Sequence, residues 1–122
     1  MLASENLVNN IEEFWPKDGP PTKEVEKYVK KYLKEKIVIK CGGRVLLEPD
    51  LFNNFIEDVS VLKKLGLKPI VVHGGGPRIK KKLDSLNLKT KFIMGLRVTD
   101  EKIIKVVEDV MIEFNKEIVE AL

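Results

Sequence analysis

The feature that most constrains this chain is the run His73-Gly74-Gly75-Gly76-Pro77, placed directly after the apolar segment Pro69-Ile70-Val71-Val72 and before a segment with helical spacing. Strand, glycines, helix is an order that builds an anion site. Residues without Cβ atoms let backbone N–H groups approach a ligand closely, and a helix start adds unpaired donors and the positive end of its dipole. A phosphate or carboxylate is the expected occupant. A second glycine turn, Lys40-Cys41-Gly42-Gly43, follows the short apolar run Ile37-Val38-Ile39 and sets a lysine at a strand end. Two such turns beside one lysine suggest phosphoryl chemistry.

The rest of the chain supplies a framework for these turns. Leu51 to Leu65 carries Phe52, Phe55, Ile56, Val59, Leu62 and Leu65 at helical spacing and stops at Gly66, so it reads as a crossover helix between the two strands. Strand, helix, strand is a right-handed βαβ unit with a parallel sheet, which puts both glycine turns at carboxyl ends of strands, where ligands bind. After Pro77 a helix with Ile79 and Leu83 runs to about Leu86. Lys91 to Val98 reads as a hairpin turning at Met94-Gly95, and Thr99 as the cap of a helix whose apolar face comprises Ile103, Ile104, Val107, Val110, Met111, Phe114, Ile118 and Val119.

The N-terminal part reads as an arm. Ser4 can cap a helix to about Phe14 with Leu7, Ile11, Phe14 and Trp15 as its stripe, and Pro16-Lys17-Asp18-Gly19-Pro20-Pro21 stops it. Thr22 is the expected cap of a second helix, with Val25, Tyr28, Val29, Tyr32 and Leu33 on one face. Residues 1–35 are therefore expected to be a helical arm and linker, and residues 36–122 the core.

Composition removes several classes of function. The 122 residues are 43% hydrophobic and 34% charged with a formal net charge of +3, and basic and acidic residues are interleaved, so nothing in the charge points to nucleic acid. The single cysteine, Cys41, cannot form an internal disulfide and agrees with a reducing compartment. The N-terminus has no basic, apolar leader and no segment is apolar enough to span a membrane, so a cytoplasmic location is expected. Neither glycine turn is a Walker A loop or a dinucleotide fingerprint, since G-x-x-x-x-G-K-[ST] and G-x-G-x-x-G are absent.

Three segments, Ile37-Val38-Ile39-Lys40-Cys41-Gly42-Gly43, Val71-Val72-His73-Gly74-Gly75-Gly76-Pro77 and Gly95-Leu96-Arg97-Val98-Thr99-Asp100, resemble in order and spacing the consecutive N-terminal signatures of the N-acetylglutamate kinase family of the amino acid kinase superfamily. The resemblance covers about Lys36 to Leu122. It implies a parallel-sheet αβα sandwich of the amino acid kinase type, truncated to its N-terminal, acceptor-substrate half and preceded by the helical arm. It also implies transfer of the ATP γ-phosphoryl group to the side-chain carboxylate of N-acetyl-L-glutamate in arginine biosynthesis, with Mg²⁺ accompanying ATP.

On this resemblance Lys40 is the catalytic residue, Gly42, Gly43 and Gly76 bind the migrating phosphoryl group, and Gly75, Gly76 and Arg97 hold the acceptor. His73 stays outside the catalytic set, because a carboxylate acceptor needs no deprotonation at neutral pH, and is expected to make a structural hydrogen bond. Cys41 reads as a small core residue and Lys80-Lys81-Lys82 as a solvated helix face. A homo-oligomer, dimer or hexamer, is implied, with the arm resembling a helix exchanged between dimers. The family's second half, which supplies most of its ATP site, has no counterpart in these 122 residues, so weak turnover by this chain alone is expected. Two other readings remain open: a relative acting on another acid, and a non-catalytic remnant that binds a small acid or pairs with a full-length subunit.

Overall fold

The computed structural model describes residues 10–122. Expectations for Ser4 and Leu7 lie outside the described residues. In chain order the elements are α1 (Ile11–Phe14), α2 (Thr22–Tyr32), β1 (Lys36–Cys41), a 3₁₀ turn (Val45–Leu47), α3 (Pro49–Lys64), β2 (Lys68–His73), α4 (Gly76–Ser85), β3 (Phe92–Ile93), β4 (Leu96–Arg97) and α5 (Glu101–Ala121). The chain divides into two compact units. One holds the described residues through Ile39 together with Asn54–Val72, and the other holds Lys40–Asn53 and His73–Leu122.

In the first unit Ile11, Val25, Val29, Leu65 and Leu67 form a buried cluster, with Phe14, Trp15, Ile37, Val61 and Leu62 packed on it. The Trp15 indole N–H donates to the Pro20 carbonyl at 2.8 Å, which folds the proline segment back over this cluster. Helix α3 ends in a Schellman motif. Gly66 takes φ +85°, the Leu67 N–H reaches the Leu62 carbonyl at 3.2 Å, and the Gly66 N–H reaches Lys63 at 2.9 Å. That reversal delivers the chain into β2 beside β1. The bonds Lys34 N–H to Gly66, Lys68 N–H to Glu35 and Gly74 N–H to Cys41 show residue numbers rising together on the two strands, so the pair is parallel, as the crossover reading requires.

The second unit is built on α4 packed against α5, with Ile79, Leu83, Ile103 and Val110 buried between them and Val106, Val107 and Met111 partly buried at the seam. Helix α4 closes with its own Schellman bonds, Leu88 N–H to Leu83 and Asn87 N–H to Asp84, with Asn87 at φ 55°. The short β3–β4 pair is antiparallel, Phe92 opposite Arg97 and Ile93 opposite Leu96. Its turn falls at Met94-Gly95, where both residues have positive φ (49° and 79°), the type I′ geometry that matches strand twist.

Two caps differ from the sequence reading. Thr22 is the first residue of α2 and makes no capping bond. Pro21 holds the N-cap position, its ring fixing φ at −54° one residue earlier than expected. Thr99 is displaced by Asp100, whose carboxylate accepts from the Lys102 and Ile103 N–H groups at 3.0 and 2.8 Å; a charged oxygen at the positive helix end outcompetes a hydroxyl. Thr99 instead lies 3.4 Å from the Arg97 carbonyl, to which its hydroxyl donates. Tyr28, Tyr32, Ile104 and Val119 keep their helical spacing yet are exposed. Among the described residues no helix is long and apolar enough to cross a membrane.

Candidate functional site

Every residue assigned to chemistry from the sequence lies in the second unit. Lys40 is the penultimate residue of β1, its side chain exposed and without a carboxylate partner among the described residues. Gly42 and Gly43 follow as β1 ends, and β2 ends at His73 so that Gly74–Gly76 emerge alongside them. The contact between the two turns is tight. A Cβ placed on Gly43 would stand 3.1–3.2 Å from the Gly74 carbonyl carbon and oxygen and the Gly75 nitrogen, so a larger residue there would have to push the turns apart by a few tenths of an ångström.

Gly42 and Gly76 have the opposite surroundings. A Cβ on either would meet nothing within 4 Å, and both are exposed, so open space fronts the two turns. The N–H groups of Gly42, Gly43, Gly75 and Gly76 make no hydrogen bond to backbone among the described residues, and Gly75 and Gly76 are the N-cap and first residue of α4. Unpaired donors and a helix start suit an anion, and Lys40 stands two residues before Gly42 in the chain. Cys41 is buried beneath it, and that burial pushes its thiol above the ordinary range against the opposing pull of Lys40, which suits packing and not nucleophilic attack.

His73 Nδ1 lies 3.2 Å from the Gly74 carbonyl, and its ring meets Phe114 edge-on with centroids 5.1 Å apart. Arg97 is held within its own hairpin segment. Its guanidinium donates to Thr90 Oγ1 at 2.8 Å and its Cζ lies 4.7 Å from the centroid of the Phe92 ring. The structure thus brings the two glycine turns together, leaves Lys40 exposed two residues before Gly42, and fixes Arg97 by local partners. Lys80 pairs with Asp84 at 2.6 Å on an exposed face, while Lys81 and Lys82 point to solvent.

Helical spacing alone puts Met111 and Phe114 on an apolar helix face and does not relate them to the site. A Cβ on Gly75 would overlap Met111 Sδ, so α5 lies directly under the turn. Arg78 and Glu117, paired beside Phe114, carry no signal in the sequence, because their meeting depends on the packing of two helices.

The profile of the amino acid kinase family matches residues 35–122. Among curated proteins, the acetylglutamate kinase of Pelagibacter ubique is 62% identical over 99% of this chain and 41% of its own length. The acetylglutamate kinase of Petrotoga mobilis is 49% identical over 75% of this chain and 31% of its own length. The chain therefore spans about two fifths, or less, of these relatives. A solved structure of N-acetylglutamate synthase from Neisseria gonorrhoeae, complexed with coenzyme A and N-acetyl-glutamate, superposes with a TM-score of 0.68 at 24% identity, covering 82% of this chain and 23% of that one, and so shares its fold. With the family profile spanning most of its length and the parallel strands and glycine turns in place, this chain belongs to the amino acid kinase family.

Proposed function

We propose that this chain forms the acceptor side of an acetylglutamate kinase, which transfers the γ-phosphoryl group of ATP to the side-chain carboxylate of N-acetyl-L-glutamate. The observation that carries the reading is the close pair of glycine turns, with four N–H donors unpaired among the described residues, open space at Gly42 and Gly76, and Lys40 two residues before Gly42. Identity of 62% to an acetylglutamate kinase across nearly the whole chain supports the choice of reaction.

Donor and acceptor are both anions, so the work of the site is alignment and neutralisation of charge. Gly42, Gly43 and Gly76 direct N–H groups at the migrating phosphoryl, and Lys40 stabilises the charge that builds on its equatorial oxygens. Gly75 and Gly76 steady the acceptor. Arg97 binds its α-carboxylate: of five guanidinium donors one is taken by Thr90, and stacking on Phe92 orients the rest. ATP would supply the phosphoryl group, and an accompanying Mg²⁺ would offset part of its charge.

Calorimetric titration of the 122-residue chain tests this directly. N-acetyl-L-glutamate is expected to bind and L-glutamate not, and Arg97→Ala is expected to weaken binding about 10- to 100-fold, the worth of a charge-assisted hydrogen bond or two. Absence of binding by a folded chain would reject the proposal. Assembly into a homo-oligomer belongs to the same reading; the arm's Ile11, Phe14 and Trp15 pack on their own chain, so it would join subunits only through its other faces. Light scattering should then report a lower multiple of the chain mass after removal of residues 1–21, and an unchanged multiple would assign the arm to its own subunit.

A further inference from the structure

We propose that Arg78, through Glu117 and Phe114, clamps the Gly74–Gly76 turn onto α5 and so fixes the direction of its N–H donors, making Arg78 and Glu117 positioning residues. A run of three glycines has little conformational preference of its own, so something outside the turn must hold it. Both flanks grip one ring. His73, before the turn, meets Phe114 edge-on, and Arg78, two residues after it, lies with its guanidinium carbon 3.8 Å from the same ring centroid. Phe114 is fully buried and cannot swing away.

Arg78 is held from its outer side as well. Its two terminal nitrogens reach the two Glu117 oxygens at 2.7 and 2.6 Å, a fork-to-fork pair. The hydrogen bond from Arg78 holds the Glu117 carboxyl below the ordinary carboxylate range. An exposed ion pair alone is worth little, but a bidentate pair with its guanidinium also stacked on an immobile ring has one geometry. Gly75 itself rests against Met111 Sδ, which a Cβ there would have to displace. Met111, Phe114 and Glu117 recur at three-residue steps on α5, so one helical stripe carries the whole turn.

The assignment deepens the anion-site reading and rests on it only for the ligand measurement. Glu117→Gln separates positioning from simple electrostatics by sign. Removing a negative charge near the site would by itself tighten anion binding, whereas releasing the clamp loosens it. We expect the amide resonances of Gly74, Gly75 and Gly76 to shift in the Glu117→Gln chain. Its dissociation constants for inorganic phosphate and N-acetyl-L-glutamate should rise about three- to tenfold. Arg78→Lys, which keeps the charge but loses fork and stack, should behave the same way. Unmoved glycine amides, tighter binding by Glu117→Gln, or native behaviour of Arg78→Lys would each overturn the clamp. Shifted amides in a chain whose native form binds neither ligand would support the clamp and reject the acceptor-site reading.

Discussion

Phe114→Ala is expected to lower the stability of the second unit by about 3–5 kcal/mol, the cost of truncating a fully buried aromatic side chain. The ring has 0% exposure, and it also backs His73 and the Arg78 guanidinium, so its loss leaves a cavity and two unsupported neighbours. Against the typical stability of about 5–15 kcal/mol for a domain, that is a large fraction. Urea unfolding followed by far-ultraviolet circular dichroism should show the midpoint falling by roughly 1–5 M, given slopes of about 1–3 kcal/mol per molar urea. Ile104→Ala, at a half-exposed position of the same helix, is the control and should change stability far less. The single tryptophan, Trp15, belongs to the first unit, so its fluorescence follows that unit separately. A Phe114→Ala midpoint within about 0.3 M of the native one would mean that the ring is not part of the core.

What could be read from the sequence was what neighbouring residues decide among themselves. Gly66 after a helical run, Met94-Gly95 between two short apolar segments, and glycines directly after Val-rich strands each act within a few residues. Each appears in the structure as a Schellman stop, a type I′ turn or a strand end. The caps were misread where two adjacent candidates compete: Pro21 fixes its own φ ahead of Thr22, and the Asp100 carboxylate outbids the Thr99 hydroxyl.

Periodicity identifies a stripe, not how much of it is covered. Tyr28, Tyr32, Ile104 and Val119 lie on the correct stripes, but how much of a stripe is covered depends on elements far away in sequence. The same limit hid the bed of the glycine turn. Arg78 and Glu117 are separated by 39 positions, and only the packing of α4 on α5 brings guanidinium to carboxylate. Gly43 was legible as a glycine, whereas its contact with Gly74 is a product of strand pairing.

Lys40→Met is expected to lower kcat about 10²- to 10³-fold while leaving the KM for N-acetyl-L-glutamate nearly unchanged, measured in a fusion of this chain to the remaining length of an acetylglutamate kinase relative. The split follows from where the charge is needed. On the proposed reading, the metal ion that accompanies the nucleotide would already offset phosphoryl charge in the ground state, and Arg97 with the Gly75-Gly76 donors would hold the acceptor. An ammonium at the strand end matters most as charge spreads over the equatorial oxygens. Lys40 is exposed and unpaired among the described residues, so methionine there should change stability by no more than about 0.5 kcal/mol, and lost activity reports on chemistry. Lys40→Arg retains the charge but spreads it over a planar fork, and should recover only part of the rate. A rise in KM with kcat preserved would instead make Lys40 a binding residue for the acceptor, and native kinetics would remove it from the site altogether.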